Sequence, residues 1–356
     1  MKLRFYAPDM AYLSEMENMQ SFVWTRKYFE PGEFLLVTPV TAENVRLTEL
    51  GNLVWFRGAK DAAVIEDRQL EENNLRSVIT AKGRFLSSFL DRRLIRGRPY
   101  TYSGTAENAM HKLIDDATSL VSTEDGISFA HAPQIGDTTA VEFKAFYENL
   151  LDYEEKLARA SALGYRITPD FETRTIRFET YRGNDHSAGQ TALPRVTFSE
   201  SYDNLNAATY RECDQVLRNV CYVAGEGDDA VRIIVETSAG GVPYSGLSRR
   251  EMMEESSGSR AEGTTDSKYR AQLRQEGVDA LEENAAIRSL ECETEAGMNF
   301  RYKVDYDLGD IVTVRKNNWG LQEDMRITEL QEVYEYGAMR VVPTLGNPLP
   351  EKIKWE

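Results

Sequence analysis

The stretch Tyr306-Asp307-Leu308-Gly309-Asp310-Ile311-Val312-Thr313-Val314 leads, after a short loop, into Arg326-Ile327-Thr328-Glu329-Leu330 and then Met339-Arg340-Val341-Val342. A glycine beside an acid feeds a β-branched run, and the two later runs alternate in period two, which predicts a turn followed by three half-buried strands. An echo stands near the N-terminus. Phe29-Glu30-Pro31-Gly32-Glu33-Phe34-Leu35-Leu36-Val37 repeats the order of glycine, acid and apolar run, and Ala63-Val64-Ile65-Glu66 with Arg76-Ser77-Val78-Ile79 repeats the hairpin. Glu66 to Gly83 and Glu329 to Gly346 are both 17 positions apart (83 − 66 and 346 − 329). The reading is a small β-barrel present twice, with Gly32, Glu33, Gly309 and Asp310 as structural turn pivots and Phe34, Val37, Ile311 and Val314 in the barrel walls.

With 356 residues the chain is too long for one core. Its apolar fraction of 41% is ordinary for a soluble protein. No run approaches the roughly 20 apolar residues that span a bilayer, and Met1-Lys2-Leu3-Arg4 does not open a signal peptide, so synthesis and folding in a cytoplasm are expected. Cys213, Cys221 and Cys292 form no C-x-x-C pair and are read as buried small hydrophobes. The balance of 42 basic against 58 acidic residues, net −16, repels phosphate backbones. Such a field disfavours sequence-reading nucleic-acid binders, yet it suits a surface along which DNA slides without sticking.

Along the chain, residues 1–100 read as the first antiparallel β-barrel, with Asn44 to Leu47 among its strands; Phe85 to Leu90 fits a helical turn or a strand end. Residues 101–195 read as a separate α+β domain, with a helix capped by Thr105, a longer helix from Glu142 to Leu163 ended by Gly164, and a hairpin of Tyr165–Thr168 with Thr175–Tyr181. Residues 196–237 and 297–346 read as a split second barrel that includes the hairpin around Gly225-Glu226-Gly227-Asp228-Asp229. Residues 238–296 read as a flexible Gly/Ser-rich loop, Gly240 to Gly263, followed by a helix from Ser267 to Arg288; residues 347–356 form a tail. The fold class is thus mixed and β-rich, of the α+β type.

Chemistry-bearing motifs are sparse. Asp305-x-Asp307-x-x-Asp310 has the look of a calcium loop, but its twelfth position is Lys316, where a bidentate Glu is required. Three histidines, His111, His131 and His186, contain no His-x-x-x-His pair. Gly-x-Ser-x-Gly, a dinucleotide fingerprint and a phosphate loop are all absent. Catalytic, metal and cofactor residues are therefore none. Carboxylate pairs for glycoside hydrolysis stay open, because their separations are spatial. The alternatives are a cell-wall (peptidoglycan or polysaccharide) hydrolase, for which a chain ending at Glu356 leaves no room after the second barrel, and a carbohydrate-binding adhesion module. The latter requires Trp24, Trp55, Trp319 and Trp355 to be exposed and clustered.

The terminal block from Asp305 to Glu329, closing in Pro343-Thr344-Leu345-Gly346, resembles the siphophage tail-hub proteins, which are similar to the baseplate hubs of contractile-tailed phages. Phe178-Glu179-Thr180-Tyr181-Arg182-Gly183-Asn184-Asp185-His186-Ser187 resembles the family's strand and Gly-x-Asp turn, with His186 where an Arg is expected. The resemblance implies a non-enzymatic virion protein of the tail tip. It also implies that three chains with two related barrels each make a homotrimeric ring, which joins a sixfold tube to a threefold tip and lets DNA pass during ejection. The implied neighbours are a distal tail or tube protein ring above, the tape-measure protein C-terminus in the lumen, and tip, spike or receptor-binding proteins below. The resemblance further implies DNA only in transit, no membrane anchor, and assembly in the bacterial host cytoplasm.

Overall fold

The computed structural model describes residues 1–72, 77–97, 100–117, 127–202, 204–205, 207–227, 231–256, 260, 263–293, 300–335 and 337–346. The tail 347–356 with Trp355, part of the 225–235 turn and part of the 240–263 loop lie outside them.

In chain order the first elements are β1 (Leu3–Tyr6), β2 (Tyr12–Met16), β3 (Ser21–Lys27), β4 (Glu33–Pro39), α1 (Ala42–Leu47), β5 (Leu53–Phe56), β6 (Ala63–Val64), β7 (Asp67–Glu72) and β8 (Ser77–Arg84). Leu86–Arg92 is a 3₁₀ turn. Then come β9 (Tyr100–Thr105), α2 (Ala106–Ala117), β10 (Ser128–His131), β11 (Ala140–Ala145), α3 (Leu150–Ser161), β12 (Gly164–Asp170) and β13 (Thr175–Tyr181). The last part holds β14 (Thr197–Ser199), β15 (Ala207–Cys213), β16 (Val220–Ala224), β17 (Ile234–Ser238), β18 (Glu251–Glu255), α4 (Asp266–Glu283), β19 (Ile287–Glu293), β20 (Ile311–Lys316), β21 (Leu321–Glu335) and β22 (Ala338–Gly346).

The fold is β-rich, with several antiparallel sheets and, among the described residues, no closed barrel. In place of two barrels, one long sheet runs in the order β15-β19-β22-β21-β3-β4-β8-β7, with β14 and β20 attached through β21. The spine is β21, 15 residues long. Its first part pairs with β20, while its second part pairs with β22 on one side and β3 on the other, Glu329 opposite Lys27 through Glu335 opposite Ser21. A bulge between Ile327 and Glu329 marks the change. The N-terminal and C-terminal strands are therefore continuous, because β3 and β21 satisfy each other's backbone groups instead of each closing a ring at home. Each half still covers its own core: Phe22, Trp24, Phe34 and Leu36 on one side, Phe198, Val312, Val314 and Leu330 on the other.

Several local expectations change, each for a visible reason. Asn44 to Leu47 belongs to α1, because the Thr41 hydroxyl caps the Asn44 N–H at 3.0 Å. Phe143, expected in a long helix, lies opposite Tyr102 in the β9–β11 pair, and α3 begins later, at Leu150, after Asn149, whose side chain accepts from the Leu151 N–H. That helix ends on Ala162 at φ 53°, while Gly164 starts β12. Across the expected boundary near residue 100, Leu86, Leu90 and Ile95 share one core with Met110, Leu150, Tyr165 and Phe178. The β12–β13 hairpin and the α2 helix stand where the pattern puts them, with the Thr105 side chain near the Asn108 N–H at 3.4 Å.

The strands also group differently between 196 and 296. β16 and β17 do not join the long sheet. β16 pairs with β17 on one side and on the other with β18, which lies inside the stretch expected to be a flexible loop, and α4 packs on this sheet over Cys221, Val223, Val235, Tyr269 and Leu273. β19, expected in the insertion, pairs with β15 and β22 of the long sheet. A small lobe with its own core is thus set into the C-terminal half. Gly277 explains how α4 seats there: a Cβ would stand 2.4 Å from Thr237 Cγ2 and 2.9 Å from Val223 Cγ2.

Candidate functional site

The turn from Asp307 to Asp310 sits where the N-terminal, middle and C-terminal parts of the chain meet. Gly309 has φ 92°, and a Cβ there would fall 2.2 Å from the Tyr28 ring. Both the left-handed backbone and the ring below require glycine. Gly183 approaches from the other side, where a Cβ would stand 2.0 Å from the Gly309 carbonyl carbon. Two glycine backbones thus cross at van der Waals distance above one tyrosine.

Hydrogen bonds complete this crossing. The Asp310 carboxylate accepts from the Asn184 N–H at 2.7 Å and the Asp307 N–H at 2.8 Å, with His186 Nε2 3.7 Å away. Burial raises the Asp310 pKa, and these donors oppose the rise only in part. Past it, the Ile311 N–H donates to Asn184 O and the His186 N–H to Ile311 O, both at 2.8 Å. The Tyr28 hydroxyl accepts from Gly183 N–H at 3.2 Å and donates to Ala162 O at 3.1 Å. Arg326 donates to Gly309 O at 2.6 Å and lies over the Tyr28 ring.

Beside the crossing lies a buried charge network. Arg26 is 2.5 Å from Asp307, 2.9 Å from the Tyr302 hydroxyl and 4.0 Å from the buried Asp61. Burial alone would raise the Asp307 pKa, but Arg26 outweighs it and the net direction is downward; for Asp61, burial wins over the more distant Arg26. Glu332, fully buried, accepts from Lys303 at 2.8 Å, Tyr302 at 2.7 Å and Tyr334 at 2.6 Å. These contacts hold its pKa down against the desolvation of burial. The network ties β3 to the segment before β20 and to β21, which is chemistry for locking segments together.

The four expected pivots are not brought together as equivalents. Gly32 lies outside the positive-φ region; its lack of a side chain matters because a Cβ would stand 2.4 Å from Thr25 O and 2.5 Å from the Phe85 ring. Glu33 is half-buried and faces Lys27 at 3.6 Å, whereas Asp310 is buried and organises backbone N–H groups. The pairing differs too: β4 pairs with β8, the second strand of its hairpin, while β20 pairs with β21, the first. Phe34 and Val314 are core residues; Val37 and Ile311 are half-buried. Among the described residues no group of three or more His, Cys, Asp or Glu side chains could hold a metal ion, and no helix is long and apolar enough to cross a membrane. Trp24 is buried in one core, Trp55 packs against another, and Trp319 is half-exposed under Lys316, so these three form no common platform.

Arg26, Tyr28, Asp61 and Glu332 were not singled out from the sequence, although two of them leave a signal. Period two puts Arg26 in phase with Phe22, Trp24 and Tyr28, and Glu332 in phase with Leu330. A charge in the apolar phase of a strand requires a buried partner.

Comparison with known proteins agrees with this architecture. No curated protein matches the chain. Among solved structures, it is similar to the 43 kDa tail protein of prophage MuSo2 from Shewanella oneidensis, with TM-score 0.59 and 14% identity, covering 98% of this chain and 99% of that one. A tail protein from Neisseria meningitidis MC58 gives TM-score 0.59 at 11% identity, covering 97% and 96%. Prophage tail protein gp18 from Listeria monocytogenes EGD-e gives 0.55 at 12%, covering 98% and 95%. At these identities the likeness is one of fold. Residues 2–347 match the family described as Siphovirus ReqiPepy6 Gp37-like protein, and the chain belongs to that family.

Proposed function

We propose that the chain is a structural virion protein, the hub of a phage tail tip, acting without catalysis. The observation that carries this reading is the end-to-end correspondence of fold with prophage tail proteins, in which almost nothing of either chain is left over. Three copies form a ring that joins a sixfold tube above to a threefold tip below, and DNA crosses its lumen during ejection. Supporting the ring is the long sheet, whose two ends, β15 and β7, are unlike edge strands. Unlike edges of one sheet make a heterologous contact, and such contacts close rings when the rotation permits. The net charge of −16 suits a lumen that must not hold DNA. The tube ring, the tape-measure C-terminus and the tip or spike proteins are the partners that this position requires. Continuity through β3 and β21 supports treating the two halves as paired tube-facing units, with the β9–β13 region and the inserted lobe on the tip side.

The test is mass measurement in solution, alone and with the cognate tube protein, followed by imaging of particles carrying a tagged chain. Trimers, and a tag at the tube–tip junction, are expected. A chain that stays monomeric in both mixtures, or a tag placed elsewhere on the particle, overturns the reading.

A further inference from the structure

Five polar side chains form an unbroken row between α2 and the β10–β13 sheet, away from the crossing at Gly309. Glu107, His111 and Asp115 recur every fourth residue on α2, so they lie along one face. His111 Nδ1 lies 2.9 Å from His131 Nδ1, and His131 Nε2 lies 2.7 Å from Asp115 Oδ1. At the inner end, His111 Nε2 is 3.5 Å from Thr180 Oγ1, which donates to Glu107 Oε1 at 2.6 Å. Glu107 also accepts the N–H groups of Ile135, Gly136 and Asp137 at 2.7 to 2.8 Å.

The protons can be placed by elimination. Asp115 accepts only, so His131 carries its proton on Nε2 and presents a bare Nδ1. His111 must then donate from Nδ1. The single Thr180 proton is taken by Glu107, so His111 Nε2 faces an oxygen without a proton between them, and this is the longest contact in the row. One added proton fits there. A second, on His131 Nδ1, would set N–H against N–H across 2.9 Å, with no acceptor between them.

We infer that this row is a proton-operated latch: with at most one added proton it holds the 128–139 segment on α2 and β13, and with two it releases that segment. The charged groups around the histidines are Glu107 and Asp115 on α2, together with Asp137, which pairs with Arg182 after β13. Phe129 and Phe178 supply the remaining walls. Burial and the neighbouring His131 lower the His111 pKa. A first proton on His111 is therefore taken up only as pH falls below the ordinary histidine value of about 6.5, and above that value the row stays closed. The outer end, Asp115, is exposed, so protons enter from solvent.

Amide hydrogen exchange on the full chain, corrected for intrinsic rates, tests the latch. Residues 128–139 should exchange at least about tenfold faster at pH 5 than at pH 7.5, a change equivalent to one pKa unit, while the β3–β21 pair stays protected. His131→Phe keeps the ring packing and should abolish that pH dependence. Nitrogen chemical shifts of the unmodified chain at pH 7.5 should show His131 protonated on Nε2 and His111 on Nδ1. Protection of 128–139 that does not change with pH, the same pH dependence in His131→Phe, or the opposite tautomers each overturn the inference. Should the variant not fold, the tautomers decide.

Discussion

The crossing at Gly309 and the inserted lobe of β16, β17, β18 and α4 are held together by opposite means. At the crossing, backbones touch through Gly183 and Gly309, and the contacts are directional: a tyrosine hydroxyl, a carboxylate that organises N–H groups, and a buried guanidinium. In the lobe, a few apolar side chains between one helix and three strands form the core, while the outer face is covered by ion pairs of Arg249 with Glu236 and Glu251. Surface pairs of that kind contribute little. A change at the crossing should therefore propagate to the whole chain, whereas a change in the lobe should stay there.

The largest effect is expected from Gly309→Val, which combines a β-branched residue at positive φ with a clash against Tyr28. Loss of about 4 kcal/mol or more, global in extent, should appear in urea unfolding. Arg26→Met should follow at about 3 kcal/mol, because Asp307 and Asp61 lose their counter-charge. Preserved stability in that variant would show that the network is bystander chemistry. Glu154 gives the reverse sign. It is fully buried on α3 without a hydrogen-bond partner, and burial raises its pKa well above normal. A raised carboxyl contributes stability below its unfolded value of about 4.3, lost as pH rises through the folded value. Glu154→Met should accordingly stabilise the chain at pH 7.5 by about 1 to 2 kcal/mol and much less at pH 4, as thermal midpoints at both pH values would report.

Smaller effects probe the lobe. Gly277→Ala should crowd Thr237 and Val223 at a cost of about 1 to 2 kcal/mol. Faster exchange should be confined to β16, β17 and α4; if β3 and β21 also lost protection, the lobe would not be independent. Least of all, Lys156→Ala removes a partly exposed bridge from α3 to Glu283 at 3.2 Å and should change the midpoint by less than about 1 kcal/mol.

Individual strands and helices were largely legible. Phe22-x-Trp24-x-Arg26-x-Tyr28 and Thr175 to Tyr181 alternate cleanly, and Met110, Leu113 and Ile114 mark the helix after Thr105. Phe143 stands at helical spacing from Tyr147 and Leu150, a pattern that fits a long helix as well as the observed strand followed by a capped helix. The Gly309 turn was legible as a turn. Its partners were not, because Tyr28 and Gly183 lie 281 and 126 positions away in sequence (309 − 28 and 309 − 183) and periodicity reports only on neighbours.

The sequence by itself determined the β-rich class, the glycine at 309 and the absence of the motifs that common cofactors require, since these depend on local backbone preference and residue chemistry. Tertiary structure alone decided that the two halves share one sheet instead of closing two barrels. Strand pairing satisfies backbone groups wherever a matching edge is offered, and β21 is long enough to offer edges to β20, β22 and β3. It also decided that Gly32 and Gly309 are glycines for different reasons, one to admit a neighbouring ring and carbonyl, the other to turn the chain through positive φ as well.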